Sequence, residues 1–210
     1  MTLKEAMNSI KPASQALRQQ AKQRWDQVAK PLGSLGVLEE DIIRIAAASG
    51  SLAVSLRPRA IVVMCGDNGV VKEGVTQTGQ EVTAIVAGNM ARANSCVFLM
   101  ARQAAADVIP VDVGMACRDA VPGVVNRKVA YGTKDFLEEP AMTMEETVRA
   151  MEAGADMAME LKERGYVLAG SGEMGIGNTT TSSALLSVLL NMDPELVTGR
   201  GAGLTTAGYN

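Results

Sequence analysis

The sequence predicts an α/β protein, on two observations. A continuous apolar run that closes on Gly66-Asp67 covers 60–67, and 107–114 is mainly apolar, which is typical of strands buried on both faces of a parallel sheet. Helical patterns alternate with these runs, as they do in βαβ units. We therefore predict a three-layer α/β/α fold with a mostly parallel, Rossmann-like sheet. A small helical subdomain is expected over 1–50 and a partial α/β domain over 51–210.

Two helices are predicted before the first strand. Residues 12–29 have helical spacing with charge on most faces, and Trp25 is their single large apolar side chain. This helix is expected to lie at the periphery and to pack through that ring. Ser34 is a candidate cap for a second helix that continues to Gly50, a residue type that commonly ends helices.

The first strand ends at Gly66-Asp67, and a loop leads from it into a long helix predicted from about 80 to 106. Thr78 and Glu81 have the spacing of a capping box, in which each side chain accepts a hydrogen bond from the backbone amide of the other residue. The second strand follows over 107–114.

The region 115–140 has no clear period and is expected to wrap the surface. Thr143 and Glu146 repeat the capping-box spacing, which predicts a helix that runs to Arg164 and is ended by Gly165.

A third buried strand is predicted over 166–170, then a glycine-rich turn and a helix over 178–190, and a short helical turn begins at Asp193-Pro194. Three strands are fewer than the five or six that such sheets usually have. We therefore expect the fold to be incomplete at its C-terminus.

Composition narrows the function classes. The 210 residues are 47% apolar and 20% charged, with a net charge of −3 and only 3% aromatic residues. These values are ordinary for a globular protein. A weakly acidic chain with few aromatic rings is not suited to bind phosphate backbones, bases or anionic lipid. We expect no nucleic-acid partner and no membrane partner.

The chain has no histidine, so its acid–base chemistry must use carboxylates, lysine or tyrosine. The absence also excludes a histidine-based nucleophile and histidine-ligated metal within these residues, and we expect neither a metal nor a cofactor. Cys65, Cys96 and Cys117 are odd in number and widely spaced. They are expected to be buried thiols in a reducing cytoplasm.

The glycine-rich segment 171–184 is the first candidate site, because it joins a strand to a helix. Amides at such a turn, together with the helix dipole, favour a phosphate or carboxylate. Gly172 and Gly177 have Walker A spacing, but Asn178 stands where that motif has its lysine. A single phosphate is therefore favoured over a nucleoside triphosphate. The alternative is that the glycines only form a turn and that Asn178 only caps the helix.

The second candidate is the loop after the first strand. Ligands of open α/β sheets bind outside the carboxyl ends of the strands, so this loop and the 171–179 turn should share one edge. Asp67 either holds a metal there or caps the Asn68-Gly69 turn, and the cap is preferred.

Five separated motifs then identify a resemblance. They are KPLGSLGVLEE (30–40), VVMCGDNGVVKEGVTQ (62–77), EVTAIVAGNM (81–90), VDVGM (111–115) and GEMGIGNTTTSSA (172–184). In this order and spacing they resemble the N-terminal part of the nicotinate-nucleotide–dimethylbenzimidazole phosphoribosyltransferases, the CobT family. The resemblance implies transfer of a 5-phosphoribosyl group from nicotinate mononucleotide to 5,6-dimethylbenzimidazole or a related base. The products are α-ribazole 5′-phosphate, a cobalamin precursor, and nicotinate.

The resemblance also implies site residues. Glu173 and Gly175 would contact the nicotinate or the ribose phosphate, with Gly177, Asn178 and Thr179 nearby. The pocket for the incoming base would be lined from the loop and helix by Thr78, Val82, Val86 and Asn89. A homodimer in the cytoplasm is expected.

Three departures from the family pattern stand out. Asn68 occupies a position where the family usually has histidine, and we expect this to matter little. Val86 offers no hydrogen bond where some relatives have glutamine, which suggests a different lower base. The glutamate that acts as general base in the family falls beyond Asn210, so this chain alone should turn over poorly.

Two other functions remain open. The chain could be a non-catalytic binding or assembly module, or a subunit of a split enzyme, whose open sheet edge another chain covers. It could also be a nucleotide hydrolase that uses the near-Walker turn.

Overall fold

The computed structural model describes residues 1–209, and the chain divides into two compact units. One is a helical unit over residues 2–57, and the other is an α/β unit that starts at Pro58. The helical unit contains α1 (Leu3–Ser9), α2 (Gln15–Asp26) and α3 (Val37–Ser49).

The helices α2 and α3 share a small apolar core. Ala21 from α2 packs with Ile43 and Ala46 from α3, and the Trp25 ring lies against them. The amide of Leu17 donates to the Ser14 hydroxyl, which caps α2. The tryptophan thus anchors α2 on its neighbour.

The predicted cap at Ser34 is wrong, because α3 begins after Gly36, which has a φ of 55° and provides no side-chain cap. Ser34 lies in a turn, where its amide donates to the Pro31 carbonyl. The buried Glu39 holds this turn instead, since it accepts from the Leu35 amide at 3.0 Å and pairs with Lys30 at 2.7 Å. Gly50 ends α3 in the left-handed conformation, as predicted.

The α/β unit contains four strands and six helices among the described residues. They are β1 (Arg59–Gly66), α4 (Glu81–Ala91), α5 (Cys96–Gln103), β2 (Ala106–Gly114), β3 (Val125–Asn126), α6 (Met144–Glu163), β4 (Leu168–Met174), α7 (Asn178–Leu190), α8 (Pro194–Val197) and α9 (Thr206–Tyr209). A 3₁₀ helix, Gly69–Glu73, follows β1.

The strands form one parallel sheet in the order β3-β2-β1-β4. This confirms the predicted α/β class. The two-residue strand β3 was not predicted, and it corrects the expectation that 115–140 only wraps the surface. Val125 pairs with Val111, and Met115 is fully buried.

Each face of the sheet is covered by helices. On one face, Val62 and Val111 pack against Met157 and Leu161 of α6. On the other, Val63 packs with Ala87 and Met90 of α4 and, more peripherally, with Val97 of α5. The result is the predicted three-layer arrangement.

The long helix expected from 80 to 106 is broken into α4 and α5. The break falls at Ala93, which has a φ of 62°, and Ser95 then caps the second helix by accepting from the Phe98 amide. By length and composition alone Glu81–Gln103 is apolar enough to cross a membrane. Its division into two short helices and the packing of α4 on the sheet favour a core segment.

Of the two predicted capping boxes, one forms. Thr143 and Glu146 cap α6 reciprocally, and Gly165 follows it with a φ of 85°. The box at Thr78 and Glu81 is wrong, because α4 begins only at Glu81 and its N-cap is Gln80. Thr78 therefore stands too early in the chain to cap this helix.

The third predicted strand is displaced toward the C-terminus. Pairing with β1 continues from Leu168 to Met174, so Gly172 and Glu173 belong to β4 rather than to the turn. The strand is also exposed rather than buried, because it forms an edge of the sheet among the described residues.

The three cysteines differ in environment, which corrects the expectation that all are buried. Cys65 is fully buried, Cys117 is partly buried and Cys96 is exposed. Burial raises the pKa of the Cys65 thiol to about 12, so this thiol remains protonated and unreactive at neutral pH.

Candidate functional site

The carboxyl ends of β1 and β4 lie side by side, because the two strands are parallel and paired up to Cys65 and Met174. The loop after β1 and the turn after β4 therefore share one edge, as predicted. The turn itself is short and consists of Gly175, Ile176 and Gly177, after which α7 begins.

Both glycines of this turn are required by close approach. A Cβ on Gly175 would lie 2.1 Å from the Gly66 carbonyl oxygen. Gly177 has a φ of 87°, and a Cβ there would lie 2.8 Å from a methyl group of Val71. The turn thus rests directly on the end of β1 and on the 3₁₀ helix.

A hollow of about 380 Å³ runs along one face of α7, from Asn178 at the start of the helix to Leu186. No side chain caps the first amides of this helix. Hydroxyl-bearing residues line much of the hollow, which is formed by Asn178, Thr179, Ser182, Ser183, Leu186, Val197, Gly199 and Gly201. Two of the predicted site residues, Asn178 and Thr179, therefore lie at this hollow.

Glu173 lies beside a second, mainly apolar cavity of about 180 Å³. Surrounding protein disfavours its charged form and raises the pKa of its carboxyl, and a hydrogen bond donated by the Asn178 amide acts in the opposite direction. The cavity is lined by Met64, Gly66, Asp67, Asn68, Val113, Gly114, Val129, Ala130, Gly132, Thr133, Met142, Ala150 and Glu173. The contact with Asn178 joins this carboxyl to the start of α7.

Asp67 is 2% exposed, and its carboxylate accepts from the Ala116 amide at 2.7 Å. Burial raises the pKa of Asp67, while the bonds from Ala116 and from the Thr83 hydroxyl lower it. The predicted cap of the Asn68-Gly69 turn is wrong, because the Gly69 amide donates to the Thr133 hydroxyl instead. Asp67 ties the end of β1 to the segment after β2.

Asn68 is a functional candidate that the sequence did not single out. Its side-chain amide donates to the Ile176 carbonyl at 3.2 Å and accepts from the Thr181 hydroxyl at 2.8 Å. The Ile176 amide donates to the buried Thr83 hydroxyl at 3.1 Å. Both backbone groups of Ile176 are thus held by side chains distant in sequence, which no local pattern signals.

Of the residues predicted for the base pocket, Thr78 precedes α4 and the other three lie along the length of this helix. Thr78 is exposed, whereas Val82, Val86 and Asn89 are half-buried. The Val86 side chain packs against the core on its side of the sheet, and Asn89 accepts from Arg92 at 2.9 Å. None of the four lines the cavity beside Glu173.

The near-Walker spacing does not form a phosphate loop of that type, since Gly172 is paired with Val63 inside the sheet. Among residues 1–209, no group of three acidic or cysteine side chains is placed to hold a metal ion.

The fold and this edge define a class: an α/β protein with a parallel sheet and a glycine turn at its carboxyl edge, the edge at which proteins of this class bind ligands. Residues 10–210 match the model of the DBI_PRT phosphoribosyltransferase family. The chain belongs to this family.

Its relatives are consistent in name and in length. The chain is 45% identical over 208 residues to the nicotinate-nucleotide–dimethylbenzimidazole phosphoribosyltransferase of Ruminiclostridium cellulolyticum, covering 99% of this chain and 59% of the relative. The enzyme of the same name from Clostridium tetani is 40% identical, with 99% and 57% covered. The crystal structure of CobT from Thermus thermophilus superposes with a TM-score of 0.85 at 40% identity, covering 92% of this chain and 59% of that one. The chain thus spans less than two thirds of the length of these relatives.

Proposed function

We propose that the protein transfers the 5-phosphoribosyl group of nicotinate mononucleotide to 5,6-dimethylbenzimidazole or a related lower-ligand base. The products would be nicotinate and α-ribazole 5′-phosphate, for cobalamin biosynthesis. Family membership and the names of the relatives support this reaction. The observation that carries it here is the Gly175–Gly177 turn, which joins the Glu173 carboxyl to the N-terminus of α7.

The start of α7 suits one phosphate. Its dipole is equivalent to about half a positive charge at this end, and no side chain caps its first turn, which suits an anion at the helix N-terminus. The hydroxyls of Thr179 and Ser182 at the hollow add donors, whereas the Ser183 hydroxyl donates to the Val197 carbonyl at 2.9 Å. Asn178 brings no charge where a Walker motif has lysine, which favours a monophosphate over a triphosphate.

In this proposal Glu173 contacts the ribose or the nicotinate of a donor whose phosphate lies at α7, a role that its contact with Asn178 supports. The C1′–N bond breaks as nicotinate leaves with the electron pair, and a benzimidazole nitrogen attacks C1′ from the opposite face with its own pair. This inverts the anomeric carbon from β to α, and the benzimidazole loses its other ring proton to a base. The CobT resemblance assigns that base to a glutamate outside residues 1–210, so these residues bind and orient the donor.

The base pocket is proposed along α4, with Thr78, Val82, Val86 and Asn89 as its lining. Valine at position 86 makes this surface less polar than a glutamine would. We propose that this less polar surface favours a different lower base, namely a purine, another substituted benzimidazole or a phenol. The enzyme is proposed to work as a cytoplasmic homodimer on small molecules.

Isothermal titration tests donor binding. We expect nicotinate mononucleotide to bind, nicotinate riboside to bind at least about tenfold more weakly because it lacks the phosphate, and MgATP to give no heat. Tighter binding of MgATP than of the mononucleotide would contradict the proposal and favour a nucleotide hydrolase.

The exposed edge supports a second candidate, an assembly module or a subunit of a split enzyme. The strand β4 is largely exposed, and α7 presents Leu185, Val188 and Leu189 to solvent. Open edges and apolar helix faces of this kind usually pair with another chain or segment. Light scattering after size exclusion should show a dimer or larger species, and a stable monomer at high concentration would count against this role.

A further inference from the structure

We propose that Asn68 and Thr83 are positioning residues that fix the central peptide of the Gly175–Gly177 turn for the phosphoribosyl donor. The inference rests on the proposed function for its ligand, but its structural part is measurable without ligand. Neither residue lines the hollow along α7, and Asn68 lines the cavity beside Glu173. Each acts through the backbone of the turn.

One local hydrogen bond closes the turn, from the Asn178 amide to the Gly175 carbonyl at 3.0 Å, and it does not involve the backbone of Ile176. Two of its three residues are glycines, which have no side chain to pack and the widest conformational freedom of any residue. Ile176 is the only member with a side chain, and it is only partly buried. The orientation of the Ile176 amide and carbonyl therefore depends on hydrogen bonds from elsewhere in the fold.

Those bonds come from two different elements. Thr83, from the first turn of α4, is fully buried and accepts from the Ile176 amide. Asn68, from the end of β1, is 8% exposed and donates to the Ile176 carbonyl. The two side chains thus hold the donor and the acceptor of the same residue.

Asn68 also fixes the helix that follows. Its side-chain oxygen accepts from the Thr181 hydroxyl in the first turn of α7. Its own carbonyl accepts from the Gln80 side chain at 3.0 Å, which holds the backbone at Asn68. One amide therefore sets both the turn and the start of α7, where we place the phosphate.

The chemistry at Asn68 needs one donor and one acceptor. Neutral imidazole also supplies one of each, whereas a carboxylate has no donor. Aspartate at this position would face the Ile176 carbonyl with a like partial charge. Asn68→Asp should therefore break the bond to the turn while it keeps the acceptor for Thr181.

The test uses two isosteric changes and measures the turn directly. In Thr83→Val and in Asn68→Asp we expect the affinity for nicotinate mononucleotide to fall about tenfold, the effect of one lost hydrogen bond in a site that must stay ordered. Amide hydrogen exchange at Ile176 should accelerate in Thr83→Val without ligand. Thr83→Ser keeps the hydroxyl and should restore both values. Thr147→Val, which removes a hydroxyl bonded only within α6, serves as the control.

The outcomes separate the two levels of the account. If wild type does not bind the mononucleotide but exchange at Ile176 responds as expected, the proposed ligand is wrong and the positioning role stands. If exchange rises equally across β1 and α6, the residues only support the fold and the inference is overturned. Unchanged exchange and affinity in both variants would overturn it as well.

Discussion

Replacing Gly175 by alanine is expected to reduce affinity for nicotinate mononucleotide at least about 100-fold and to destabilise the fold by about 2 kcal/mol. The new Cβ would lie 2.1 Å from the Gly66 carbonyl oxygen and 2.9 Å from the Asn68 side-chain nitrogen. Because the first of these neighbours is backbone, the turn must move off the end of β1. Calorimetric titration and urea denaturation measure the two effects.

Gly170→Ala is the matched control for this change. Gly170 lies in β4, the strand that leads into the turn, and a Cβ there would meet the Ile61 side chain at 3.7 Å, an ordinary contact. We expect its stability and affinity to stay close to those of the wild type. If Gly170→Ala and Gly175→Ala had equal effects, the cause would be a disturbance of β4. The close approach of the turn to the end of β1 would then not explain the loss.

Lys128→Met is expected to destabilise the protein by about 3 kcal/mol, because it leaves a buried carboxylate without its cation. Lys128 pairs with Asp112 at 3.1 Å, and their side chains are 14% and 6% exposed. The same ammonium donates to the Cys117 carbonyl at 2.8 Å and lies 4.6 Å from the centre of the Tyr131 ring. This pair thus holds the segment that follows β2. Urea denaturation gives the free energy of unfolding.

Two further variants identify the cause. Lys128→Met combined with Asp112→Asn should recover most of the loss, since the charge at position 112 is removed with its partner and asparagine still accepts from the Met115 amide. Lys72→Met breaks the exposed pair with Glu138 and should cost less than about 1 kcal/mol. A Lys128→Met protein as stable as Lys72→Met would contradict the account.

The strands β1 and β2 could be predicted because both are mainly apolar and lie in the centre of the sheet. The helix α6 could be predicted because its cap and its final glycine are local signals. The strand β3 could not, since two residues among glycine, proline and charge become a strand only through pairing with β2. The extension of β4 over Ser171, Gly172 and Glu173 likewise comes from β1, not from strand propensity.

At the site, the sequence located the glycine turn and the start of α7, whose signals are local. It assigned Asp67 a cap that does not form and gave Asn68 little weight, because their partners lie far along the chain. Asp67 accepts from the Ala116 amide, and Asn68 donates to the Ile176 carbonyl. Buried polar side chains of this kind are assigned by tertiary contacts alone, so a single sequence cannot rank them.

The central claim is that the phosphoribosyl donor binds at the turn between β4 and α7. Titration of ¹⁵N-labelled protein with nicotinate mononucleotide, followed by amide chemical shifts, tests it most directly. We predict the largest shifts at Gly175, Gly177 and Thr179, with none of that size in Gly175→Ala. Largest shifts at α2 and α3, or none at the turn under saturating ligand, would contradict the claim.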